Sequence, residues 1–68
     1  MTDIPTSSID RIIRKAGAER VSQDAILRLK TELEDYGLLI AKKALEFARY
    51  ANKKTISKAD IELALLKK

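Results

Sequence analysis

The 68-residue sequence contains no cysteine and no histidine. Their absence removes disulfide bonds, the commonest zinc ligands and thiol chemistry, and it fits a reducing compartment. No apolar run approaches the roughly 18 residues needed to span a bilayer, and the N-terminus lacks the basic-then-apolar pattern of a signal peptide. The expectation is a soluble intracellular protein with no metal, no other cofactor and no membrane partner. A Gly-rich phosphate loop is missing too. Glu34 and Asp35 are adjacent on an expected helix and point in different directions, so they do not form a carboxylate pair for acid–base work. The chain is not expected to be an enzyme.

A domain of this size buries a smaller share of its surface than a larger one, and it usually draws on a disulfide, a metal or a partner chain. With the first two gone, a partner chain remains. The charge that is present is unevenly placed. The whole chain has 14 basic and 10 acidic residues, a formal net of +4. Residues 22–51 carry five of each sign and are neutral, whereas residues 52–68 carry five basic and two acidic side chains. Positive charge concentrated outside the central segment hints at a polyanion-binding surface.

Three helices are expected, at about residues 8–16, 22–51 and 57–66, with residues 1–6 as a short tail and 7–68 as one domain. Ser7-Ser8-Ile9-Asp10 has the S-x-x-D form of a capping box, and Ile9, Ile12, Ile13 and Ala16 follow at i, i+3, i+4 and i+7. Gly17 suits the left-handed conformation that ends many helices. Ser22 is the next N-cap, with Asp24 in the first turn. From there apolar residues recur at Ile26, Leu29, Leu33, Tyr36, Ile40, Ala44, Phe47 and Ala51, a mean step of about 3.6 residues. No proline interrupts them. Gly37 is the only weak point, and Asn52 offers a C-cap. A second S-x-x-D, Ser57-Lys58-Ala59-Asp60, opens a third helix with Ile61, Leu63, Ala64 and Leu65 along it. Lys67 and Lys68 read as a frayed, solvated end.

The middle helix would be ~45 Å long and each flanking helix only ~15 Å, at ~1.5 Å per residue. Two short helices do not cover the apolar length of the long one. Leu27, Leu38 and Leu45 widen its apolar arc further. A second copy crossing the first at its middle covers it, with Ile26, Leu29, Leu33, Tyr36, Ile40 and Ala44 in the dimer core. Tyr36, lying among apolar positions, is expected to pack rather than to stack on a ligand.

Several stretches together carry a more specific signal. They are Ile12-Ile13-Arg14-Lys15-Ala16-Gly17, the loop Ala18-Glu19-Arg20-Val21-Ser22, Tyr36-Gly37, and Lys53-Lys54-Thr55-Ile56 followed by Ala59-Asp60-Ile61-Glu62-Leu63-Ala64. With "KAGAERVS" and "KKTI…ADIELA" at this separation, the chain resembles the archaeal histones over nearly its whole length. The resemblance implies an all-α histone fold, short-long-short, paired head to tail in a handshake dimer. It also implies sequence-tolerant binding and compaction of double-stranded DNA, in the cytoplasm on the chromosome. In such a dimer the loop before one long helix lies beside the loop after its partner's. Arg20 would then stand near Lys53, Lys54 and Thr55 of the other chain, twice per dimer. Helix starts at Ser22 and Ser57 favour phosphate. The arginine matching Arg20 would enter the minor groove wherever it faces the protein. Arg11, Arg14 and Lys15 would supply a middle contact.

The same likeness implies that dimers, of one chain or with a paralogue, join into tetramers or larger assemblies through the region of Phe47, Tyr50, Asp60 and Leu63. Three positions depart from the family pattern. Lys53 stands where an arginine usually pairs with the acid matching Asp60, which keeps the charge but loses the two-pronged fork. Tyr50 replaces a common histidine, and Leu38 and Leu39 stand where typical members look more charged. The alternatives to a DNA-compacting protein are a small helical RNA-binding dimer and a histone-fold module that pairs with another protein. The Arg20 loop and the Lys54-Thr55 pair favour DNA. No basic tail is expected beyond the fold.

Overall fold

The computed structural model describes residues 4–66. They form three α-helices, α1 (Thr6–Lys15), α2 (Gln23–Tyr50) and α3 (Lys58–Leu66), with no strand among the described residues. This is the short-long-short, all-α pattern. At 28 residues α2 is ~42 Å long, about three times either neighbour. Lys67 and Lys68, expected as a frayed end, lie outside the described residues.

The helix ends show which local signals the chain obeys. At the start of α1 the expected capping box does not form. Pro5 is the N-cap, with φ −59° and ψ 138°, and no side chain caps the helix. The Pro5 carbonyl already accepts the amides of Ser8 and Ile9, at 3.1 and 3.4 Å, so the first turn closes before Ser7 can act. Helix α1 therefore begins at Thr6, and the expected six-residue tail loses its last member. At the other end Gly17 has φ +113° and donates its amide to the Arg14 carbonyl at 2.9 Å. That φ is strained for any side chain, and glycine relieves the strain.

Ser22 does cap α2, its Oγ accepting the Ala25 amide at 3.1 Å. The helix ends on Asn52 at φ 59°, with the Asn52 amide on the Arg49 carbonyl and the Lys53 amide on the Ala48 carbonyl, at 3.0 and 2.9 Å. Those two bonds satisfy carbonyls that the last turn would leave open.

The chain divides into two compact units between Asp35 and Tyr36. In the first, Ile9 is fully buried and Ile26 nearly so, with Ile13, Leu29 and Leu33 half-buried. Ile12 is 50% exposed and Ala16 is exposed, so the inward face of α1 is narrower than expected. Residues 9 and 13 are ~40° apart around a helix, whereas residue 12 lies ~60° to the other side of residue 9. The Ile4 amide donates to Glu34 Oε2 at 3.1 Å in a partly buried contact that ties the segment before α1 to α2.

In the second unit, Ile40, Ala44 and Ala64 form a buried cluster against which Phe47 and Ile61 pack. Small residues at 44 and 64 leave room for helix-to-helix approach. Large apolar side chains stay exposed in the single chain: Leu27, Tyr36, Leu38, Leu39 and Leu45 on α2, and Leu63, Leu65 and Leu66 on α3. Helix α3 is apolar nearly all round, a pattern that belongs to a helix covered on more than one side.

Candidate nucleic-acid interface

Two loops and one face of α1 hold the candidate DNA contacts. The first loop, residues 16–22, is anchored at both ends, by the Gly17 turn and by the Ser22 cap. Arg14 adds a third anchor. Its Nε donates to both carboxylate oxygens of Asp10, 3.1 Å from each, and its Nη1 donates to the Glu19 carbonyl at 3.2 Å. Arg20 follows directly, exposed and without a hydrogen bond or ion pair among the described residues. Arg11 and Lys15 are also exposed, and with Ser7, Asp10 and Arg14 they line a shallow groove along α1.

The second loop is organised around one oxygen. Asp60 is buried, and its Oδ2 accepts the Ser57 amide at 2.9 Å, the Ser57 hydroxyl at 3.1 Å and the Lys53 ammonium at 2.9 Å. In return Ser57 Oγ accepts the Asp60 amide at 3.4 Å and Lys53 Nζ at 3.3 Å. The capping box expected here is thus reciprocal, and Lys53 reinforces it. Because these donors favour the ionised form, the Ser57 amide foremost and Lys53 next, the Asp60 carboxyl is held below its ordinary value near 3.8. Lysine at 53 makes this clamp with one nitrogen rather than a fork. Beside it Lys54 and Thr55 are exposed and make no side-chain bond among the described residues.

The candidates therefore fall into two groups. Arg14, Lys53, Ser22 and Ser57 each make side-chain hydrogen bonds within the chain. Arg11, Lys15, Arg20, Lys54 and Thr55 are presented free to solvent. Of the expected dimer-core residues, Ile26, Ile40 and Ala44 are buried, Leu29 and Leu33 half-buried, and Tyr36 is 55% exposed in the single chain. A Cβ built on Gly37 would meet nothing within 4 Å in this chain. Of the four residues expected between dimers, Phe47 packs on the cluster of the second unit and Asp60 is occupied by its clamp. Tyr50 is 91% exposed and Leu63 is 46% exposed. Sequence reasoning missed Glu34 as a tether and Asp10 as the partner of Arg14. The second was readable, since the two stand at i and i+4 on one helix. Among the described residues no three acidic, histidine or cysteine side chains come together to hold a metal ion, and no helix is long and apolar enough to cross a membrane.

A three-helix chain of this pattern, with an arginine in the loop before its long helix and two lysines in the loop after it, defines a histone-fold protein. Residues 2–65 match the family described as "Histone-like transcription factor (CBF/NF-Y) and archaeal histone", and the chain belongs to that family. It is 52% identical over 65 residues to one of the subunits of the archaeal histone HAN1 from Thermococcus zilligii, covering 96% of this chain and 97% of the relative. It is 38% identical over 65 residues to "Probable archaeal histone 3" of Methanocaldococcus jannaschii, with the same coverage of 96% and 97%. Membership supports, in general terms, a DNA-binding, chromatin-architectural role and association with the chromosome.

Proposed function

We propose that this protein binds and compacts double-stranded DNA with little regard to sequence, as a histone-fold handshake dimer. The observation that carries the reading is that four of the candidate contacts are cations free to bind, Arg11 and Lys15 on α1 and Arg20 and Lys54 on the two loops, each exposed and unpartnered among the described residues. Cations left unpaired beside ordered loops suit phosphate better than a protein partner's apolar surface. Dimerisation covers Tyr36 and the parts of Leu29 and Leu33 that the single chain leaves exposed. It also brings Arg20 of each chain beside Lys54 and Thr55 of the other, giving two such patches per dimer with a middle contact from Arg11 and Lys15. Arg20 enters the minor groove, and the amides at the starts of α2 and α3 face phosphates. One relative is named as part of a multi-chain histone, which supports work inside an assembly of chains, of one kind or with a paralogue. Tyr50 and Leu63 extend that assembly beyond the dimer.

The test compares a random-sequence DNA duplex with an RNA duplex of the same length at low salt, using wild type and Arg20→Ala. The expected result is tighter binding to B-form DNA and a defect in the variant that is the same on every DNA sequence, with A·T-rich preference reduced. Feeble binding to both duplexes would return the chain to a role in pairing with another protein. A preference for the RNA duplex would point to A-form recognition instead.

A further inference from the structure

We infer that Arg14 is a positioning residue for Arg20 and not itself a phosphate contact, and that Asp10 aims it. This goes beyond the proposed DNA-binding surface and rests on it, since it concerns how Arg20 is presented. All three hydrogen bonds of the Arg14 guanidinium point into the protein, two to the Asp10 carboxylate one turn back and one to the carbonyl of Glu19. Glu19 is the residue immediately before Arg20. The Arg14 carbonyl also accepts the Gly17 amide, so one residue grips the loop through both its backbone and its side chain. With Glu19 held on one side and Ser22 capping α2 on the other, Arg20 and Val21 are the only residues left between two fixed points.

The geometry argues against a direct phosphate role. A phosphate approaching Arg14 would meet the Asp10 carboxylate, a like charge 3.1 Å from Nε. As a source of stability the pair is minor, because both side chains are partly exposed and such pairs contribute little. Its effect lies in order instead. A loop fixed before binding does not have to be ordered on binding, which is worth about two- to tenfold in affinity for each side chain already held. Arginine is required because a planar fork reaches the carboxylate and the carbonyl together, whereas an ammonium is a point charge.

The two roles predict opposite signs for one substitution. If Arg14 bound phosphate, Asp10→Asn would free it, add positive charge and tighten DNA binding. If Arg14 positions Arg20, Asp10→Asn loosens the loop and weakens binding despite the extra charge. The experiment measures affinity of the full chain for random and A·T-rich duplexes, with Asp10→Asn, Arg14→Lys and Arg20→Ala singly and combined. Expected are losses of about two- to tenfold per loop for Asp10→Asn and for the charge-conserving Arg14→Lys, with reduced A·T preference. Neither should weaken a protein already carrying Arg20→Ala. Tighter binding by Asp10→Asn, or losses that add fully to that of Arg20→Ala, would overturn this inference alone. An Arg20→Ala protein that binds like wild type would overturn it together with the DNA-binding reading.

Discussion

The division of the candidate basic residues into free and engaged sets can be read out as the salt dependence of DNA binding. Each phosphate neutralised on a B-form duplex releases condensed counterions, and log affinity falls against log salt with a slope of about −0.9 per contact. Among the candidate DNA contacts, Arg11, Lys15, Arg20 and Lys54 are the cations free in each chain. Two chains then offer about eight contacts and a slope of about −7, so affinity should fall by about four decades between 50 and 200 mM salt. If Arg14 and Lys53 also reached phosphate, the count would rise to about twelve and the slope to about −11. Removing Arg20 from both chains should flatten the slope to about −5, and removing Lys54 should do the same. Arg14→Ala and Lys53→Ala should lower affinity while leaving the slope near its wild-type value, because their charges are already spent on Asp10 and Asp60. The assay is a titration of labelled random-sequence duplex over a salt series for each variant. A wild-type slope near −11, or a slope that Arg14→Ala flattens as much as Arg20→Ala does, would refute the division. A slope of about −2 would refute the surface altogether.

Two further outcomes follow from the same structure. The Asp60 carboxyl is held below its ordinary value in the folded chain, so the stability it contributes is present at neutral pH and is lost as pH falls through the ordinary range to the folded value. Thermal melts from pH 7 to pH 2 should converge for wild type and Asp60→Asn at the acid end, and a difference independent of pH would contradict the clamp. If a second chain covers the exposed leucines of α2, as proposed, the melting temperature should rise with protein concentration. A tenfold increase corresponds to about 1.4 kcal/mol per dimer by mass action, and a melting point indifferent to concentration would exclude an obligate dimer.

The two S-x-x-D sequences explain why the number and type of helices were legible while the details of the site were not. Ser7…Asp10 and Ser57…Asp60 are the same signal in the sequence, yet only the second forms a reciprocal box. The difference lies in their competitors. Pro5 has its φ fixed near the helical value, and its carbonyl captures the first amides, so Ser7 falls inside the helix rather than at its cap. Asp10 has Arg14 one turn ahead and bonds forward to it. Asp60 has Ala64 at the equivalent place, a buried residue with nothing to offer, and so turns back to Ser57 and to Lys53. The period of the apolar residues along α2 depends on the helix alone and survives any such competition, which is why the long helix could be read. The sorting of cations into free and engaged could not. It depends on whether an acid or a carbonyl in a nearby turn comes within hydrogen-bonding reach, and the Glu19 carbonyl that meets Arg14 lies just past the turn at Gly17, where φ is positive. On the proposed reading, glycine at 17 and aspartate at 10 serve DNA binding by shaping the loop that presents Arg20, although neither need touch DNA.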